Sequence, residues 1–142
     1  MKTGDIVMLT ITNYTIIGVE AVDKQHQELV NMINEFSSKD VKRIPKEETK
    51  STLEFLGIYI KKHFADEETL QKECNYPDYE KHKQLHRQFI LDFTRFCKMF
   101  YINGPSPMFT QMLNNLVINW VEKHINGADA EFGKYYNENK ER

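Results

Sequence analysis

The stretch His82-Lys83-Gln84-Leu85-His86-Arg87-Gln88-Phe89-Ile90-Leu91-Asp92-Phe93-Thr94-Arg95-Phe96-Cys97-Lys98-Met99-Phe100 decides the fold. Within it His82, His86, Phe89, Phe93, Phe96 and Phe100 recur at spacings of three and four. That period lays them on one stripe of an α-helix. The four phenylalanines mark the stripe as a core face. The two histidines stand where the same face calls for apolar side chains.

Three more segments show the same period. They read Val19, Val22, His26, Leu29, Ile33, Phe36; then Leu53, Leu56, Ile60, His63, Glu67, Leu70; and finally Leu113, Val117, Trp120, His124. Heptad-like stripes suit helices packed side by side, about 20° off antiparallel. Pro45 suits the first turn of the second helix, and Asn75-Tyr76-Pro77-Asp78 reads as cap and first turn of the third. Asn103-Gly104 ends the third in a left-handed residue, and Ser106-Pro107 caps the fourth. Asn126-Gly127 is expected to break the fourth helix, with a further short helix from about Ala128 to Asn137.

The links are short, about 37–44, 73–75 and 103–106, so consecutive helices must be antiparallel neighbours. The expected fold is all-α, an up-down-up-down four-helix bundle over about 19–130. Residues 1–18 form an extended arm, rich in β-branched and apolar residues (Ile6, Val7, Leu9, Ile11, Ile16, Ile17), and 131–142 a polar tail. One domain is expected from 142 residues.

Composition removes several function classes. A net charge of −2 gives no basic footprint for nucleic acid. No apolar run approaches the roughly 20 residues of a membrane span. The start, Met1-Lys2-Thr3-Gly4-Asp5, lacks a signal-peptide core, and the two cysteines, Cys74 and Cys97, form no framework. A reducing, cytoplasmic location is expected.

All five histidines fall on otherwise apolar stripes, and so does Glu67. A lone core histidine is ordinarily a satisfied hydrogen-bonding group, and a buried carboxylate needs a cation or strong donors. The topology removes the ordinary explanation for the set. His26 lies near the start of helix one, His63 and Glu67 near the end of two, His82 and His86 near the start of three, and His124 near the end of four. In an up-down-up-down bundle these are one end. His63/Glu67 and His82/His86 are i, i+4 pairs that face one way. The set reads as a metal site. Asp129 stands five residues after His124, about 140° off its face on an ideal helix. Gly127 offers a place for the backbone to distort and bring it inward. By donor type alone iron, zinc, copper and nickel all remain open.

These residues resemble the hemerythrin family, most closely its bacterial single-domain form. The resemblance rests on Asp23-Lys24-Gln25-His26, His63-Phe64-Ala65-Asp66-Glu67-Glu68, Tyr76-Pro77, His82 through His86, and Trp120-Val121-Glu122-Lys123-His124-Ile125 followed by Asp129. It implies iron, two ions bridged by Glu67, Asp129 and a solvent-derived oxo or hydroxo. It further implies that His82, His86 and His124 complete one ion. His26 and His63 leave the other a vacancy for dioxygen. Ile60, Phe64, Val121 and Ile125 are candidates for a dry lining, with Trp120 a core aromatic touching the site. Val121 stands where the family usually has leucine, and the arm lacks the family's frequent tryptophan.

The function so implied is non-catalytic, reversible dioxygen binding for carriage, storage or local supply. The alternatives are a di-iron oxidase, peroxidase or nitric oxide reductase, or a sensor acting through a separate partner. Catalytic di-iron bundles are typically rich in carboxylates, whereas imidazole dominates here.

Overall fold

A computed structural model describes residues 9–140 of the chain. Among these every regular element is helical. The first three are α1 (Glu20–Ser37), α2 (Lys46–Glu73) and α3 (Tyr79–Asn103). The fourth helix runs without interruption from 107 to 139, through α-helical Pro107–Met112, π-helical Leu113–Asn119, α-helical Trp120–His124, π-helical Ile125–Asp129 and α-helical Ala130–Asn139. α1 packs on α2, α2 on α3, and α3 on the first part of the fourth helix. This is the expected four-helix bundle.

The turns follow local chemistry. Ser106 accepts a hydrogen bond from Phe109 N–H at 3.1 Å and Pro107 follows it, as the sequence predicts. Gly104 takes φ +70° after Asn103. The reading of Asn75 as a helix cap is corrected. Asn75 takes φ +56°, and the N–H of Tyr76 reaches back to Gln71 O at 2.9 Å while that of Asn75 reaches Lys72 O. These two bonds form the left-handed stop of α2, and α3 starts after Asp78.

The break expected at Asn126-Gly127 is also corrected. The π segment Ile125–Asp129 carries the helix through Gly127, so the short C-terminal helix expected from about Ala128 is present as Ala130–Asn139 but continues the same rod. Phe132 in it is fully buried. Ile6 and Val7 of the expected arm lie outside the described residues. From residue 9 onward the arm is the extended strap expected. Asparagine side chains clip it down: Asn114 accepts from Leu9 N–H, Asn34 both accepts from and donates to the Ile11 backbone, and Asn126 accepts from Thr15 N–H. At its end Asp23 accepts from the N–H groups of Ile17 and Gly18.

The interior has three levels. A large apolar cluster with Leu29, Leu53, Phe96 and Phe109 fills one side. A smaller one of Ile17, Val19, Val22, Tyr76 and Phe132 closes the other. The histidines and carboxylates fall between them, since Val22 precedes His26 by one turn and Leu29 follows it. Water is therefore excluded from both sides of the polar layer.

Candidate metal centre

All seven expected donors, His26, His63, Glu67, His82, His86, His124 and Asp129, meet in this layer and are buried. Glu67 and Asp129 are 0% exposed. The helices deliver them as the periodicity demands, with one addition. A π segment inserts one residue into the helical repeat, so the i+5 partner takes the place that i+4 holds in an α-helix. Ile125–Asp129 thereby turns Asp129 onto the face of His124, and their side chains come within 3.1 Å.

The donor atoms form two overlapping groups. Glu67, His82, His86, His124 and Asp129 make one; His26, His63, Glu67 and Asp129 make the other. Within each group the ligand atoms lie within 4.8 Å of one another. Ligand bonds of roughly 2.0–2.2 Å to a first-row ion set donors up to about 4.4 Å apart, so each group is the size of one coordination sphere. The carboxylates belong to both. His26 Nε2 is 2.9 Å from Asp129 Oδ2, and His82 Nε2 is 2.5 Å from Glu67 Oε1 and 3.0 Å from Asp129 Oδ1. Yet His26 Nε2, His82 Nε2, Glu67 Oε2 and both Asp129 oxygens have no hydrogen bond of proper geometry. Buried polar atoms are rarely left so. Their convergence without mutual bonding fits cations at the common points.

Hydrogen bonding outside the layer fixes which ring nitrogens face in. Asp66 can only accept, so Gln25 turns Nε2 to Asp66 Oδ2 (2.8 Å) and Oε1 to His63 Nδ1 (2.8 Å). Nδ1 of His63 must then carry the proton, leaving Nε2 bare toward the centre. Glu68 Oε2 does the same to His86 Nδ1 at 2.8 Å. The bare Nε2 of His86 stands 3.1 Å from His124 Nε2, a spacing that calls for a cation or proton between them. Such outer partners orient metal-ligating imidazoles. Aromatic rings hold two planes: Phe64 stacks on His86 at 3.8 Å and Trp120 on His124 at 4.4 Å.

The electrostatics show what the layer lacks. Burial, with the neighbouring His26, pushes the His63 pKa down to about 3. Burial, with His124 and His82, pushes His86 to about 3. Burial and Asp129 push Glu67 up to about 7. Burial alone would lower His82, but the close carboxylates of Asp129 and Glu67 outweigh it and raise it to about 9. Burial likewise opposes ionisation of Asp129, but His124, His26 and His82 outweigh it and hold its pKa well below the usual range. The layer keeps protons where it has no other positive charge, and bound cations would replace them.

Beside the layer lies a cavity of about 10 Å³, at the lower limit for a single water. The five expected lining residues, Ile60, Phe64, Trp120, Val121 and Ile125, all border it, together with His26, His63, His124 and Asp129. Leu29 and Phe89 border it as well and were not foreseen. Sequence reading also missed the orienting roles of Gln25 and Glu68. Each sits next to a donor in the chain, Gln25 before His26 and Glu68 after Glu67, and that adjacency was the one available signal.

The profile of the Hemerythrin HHE cation binding domain matches residues 17–136. The chain belongs to the hemerythrin family. Bacteriohemerythrin of Campylobacter jejuni is 31% identical over 121 residues, covering 84% of this chain and 88% of that protein. Bacteriohemerythrin of Pseudomonas aeruginosa is 29% identical over 119 residues, covering 81% and 72%. A crystal structure of a hemerythrin with leucine replaced by alanine superposes with a TM-score of 0.71 at 22% identity, covering 89% of this chain and 97% of that one. The hemerythrin domain binds a di-iron centre, and the two donor groups described above suit two ions. No helix among the described residues is long and apolar enough to cross a membrane.

Proposed function

We propose that this chain binds dioxygen reversibly at a di-iron centre, for carriage, storage or local supply. His82, His86 and His124 would hold one iron, His26 and His63 the other, and Glu67 and Asp129 would be shared by both. The observation that carries the reading is the unequal division of donors together with the position of the cavity. One group offers three histidines and the other two, so the second ion is one ligand short. Both histidines of the poorer group border the cavity, whereas of the richer group's three only His124 does.

Two ferrous ions, when bound, supply the electrons that hold dioxygen. The protein residues do the rest. Gln25 and Glu68 keep the lone pairs of His63 and His86 inward. Leu29, Ile60, Phe64, Phe89, Val121 and Ile125 keep water from the open position. Beyond the donors themselves, no residue bordering the cavity carries an acid or base. An oxidase must deliver protons to reduced oxygen, so this lining favours binding over turnover. The two free cysteines suit a reducing, cytoplasmic setting.

The test is oxygen uptake by the anaerobically reduced, iron-loaded protein. We expect uptake of one dioxygen per two irons and then a stop, with excess reductant present. Continued consumption at a steady rate would replace this reading with an oxidase.

A further inference from the structure

The outer side of α2 carries a feature that the metal centre does not use. Phe55 is 62% exposed and Ile58 is 68% exposed. Single exposed apolar residues are normal on a protein surface. These two are three residues apart and share one ridge of the helix. The ridge separates two grooves. One, about 380 Å³, lies between α1 and α2 and is bordered by Phe55 with Met32 and Phe36. The other, about 500 Å³, lies between α2 and α3 and is bordered by Ile58 with Gly57, Phe93, Cys97 and Tyr101. A Cβ on Gly57 would stand 3.2 Å from the Phe93 ring, so the glycine lets that ring pack against α2 beside the second groove.

We infer that this face joins two copies of the chain, with α2 crossing α2 of the second copy in antiparallel sense near Ile58. Three features of the face specify that occupant. The apolar ridge and an apolar groove lie side by side, so one surface offers both the projection and the recess. Ridges seated in grooves are the ordinary way helices pack. A twofold interface needs such a self-complementary patch.

The charges then choose the direction. Glu54 and Lys61 both border the larger groove, and they stand two turns apart on either side of Gly57 and Ile58. An antiparallel copy sets Glu54 against Lys61 of its mate, twice. The neighbouring register, centred on Ile58 itself, sets Glu54 against Lys62 instead. A parallel copy would oppose Glu54 to Glu54 and Lys61 to Lys61. Lys98 also borders the groove, from α3. Phe55 and Ile58 leave water in the antiparallel pair, with Ile58 seated over the Gly57 of the mate.

The experiment is the molar mass of the iron-loaded chain by light scattering, from low-micromolar to sub-millimolar concentration. We expect a concentration-dependent dimer. Ile58→Glu should weaken it at least about 30-fold, as loss of a buried interface anchor does. Circular dichroism and iron content should not change. Glu54→Lys and Lys61→Glu, both at exposed positions, should each stay monomeric alone. Mixed in equal amounts they should pair, because the first chain offers only lysines and the second only glutamates. A single-chain mass at every concentration overturns the inference. So does a dimer that survives Ile58→Glu with the fold intact. Failure of the two charge variants to pair when mixed overturns it as well.

Discussion

Gln25 sits outside the donor set, and its removal tests how the layer is held. Gln25→Leu keeps the size of the side chain but deletes the acceptor 2.8 Å from His63 Nδ1 and the donor to Asp66. Without metal, a buried ring N–H loses its partner, which costs about 1–3 kcal/mol. With metal, the His63 ring is free to rotate or to move its proton onto Nε2, the atom meant for the ion. Loss of such an orienting partner typically lowers metal affinity about 10- to 100-fold, or roughly 1.4–2.7 kcal/mol. The effect should fall on one ion of the two. His63 belongs only to the group with His26, whereas His86, held by Glu68, belongs only to the other. Iron release to a coloured chelator should therefore become biphasic. One iron per chain leaves about 10- to 100-fold faster and the other leaves at the parent rate. Gln25→Glu combined with Asp66→Asn keeps the acceptor for His63 and a donor beside it, and should restore single-phase release. Equal acceleration of both irons, or none, would refute the reasoning.

Three other perturbations have worked outcomes. Val121→Leu adds a methylene to a cavity of only about 10 Å³, so decay of the oxygenated absorption band should slow with iron content unchanged, at a strain of about 1–3 kcal/mol. Unchanged decay would make Val121 ordinary packing. Metal-free protein should be most stable near pH 6.5, followed by thermal melting across pH. Below 6.5 the unfolded chain binds protons that buried His63 and His86, at about 3, refuse; the raised Glu67 opposes with a single proton. Above 6.5 stability falls as Glu67, at about 7, and His82, at about 9, give up protons held in the fold. Gly133→Ala would drive a Cβ into the Ile17 backbone carbonyl, closer than any real Cβ contact, so the arm must lift. Faster proteolysis near residues 13–18 should follow, with the metal site retained.

The sequence exposed the parts of this protein that repeat. Stripes at spacings of three and four located four helices. The helix order then brought His26, His63, Glu67, His82, His86 and His124 to one end without any coordinate. Features that leave no periodic trace were hidden. The π segments shift the hydrogen-bond register by one residue, and Gly127 hinted at distortion but was read as a break. It lets the helix widen and underwind locally, which aims Asp129. Gln25 and Glu68 lie one position from donors, where a helical wheel shows partly solvated side chains. The asparagines that clip the arm bond to backbone more than a hundred residues away in the cases of Asn114 and Asn126. No local pattern encodes such pairs.

Spectral cycling separates reversible dioxygen binding at two irons from every irreversible reaction. Anaerobically reduced protein carrying two irons per chain is exposed to oxygen, then to argon, several times. Reversible binding gives a visible band that rises with oxygen and falls back to the reduced spectrum under argon, cycle after cycle, without added reductant. A band that never forms, or one that forms once and cannot be reversed until reductant is supplied, would contradict it.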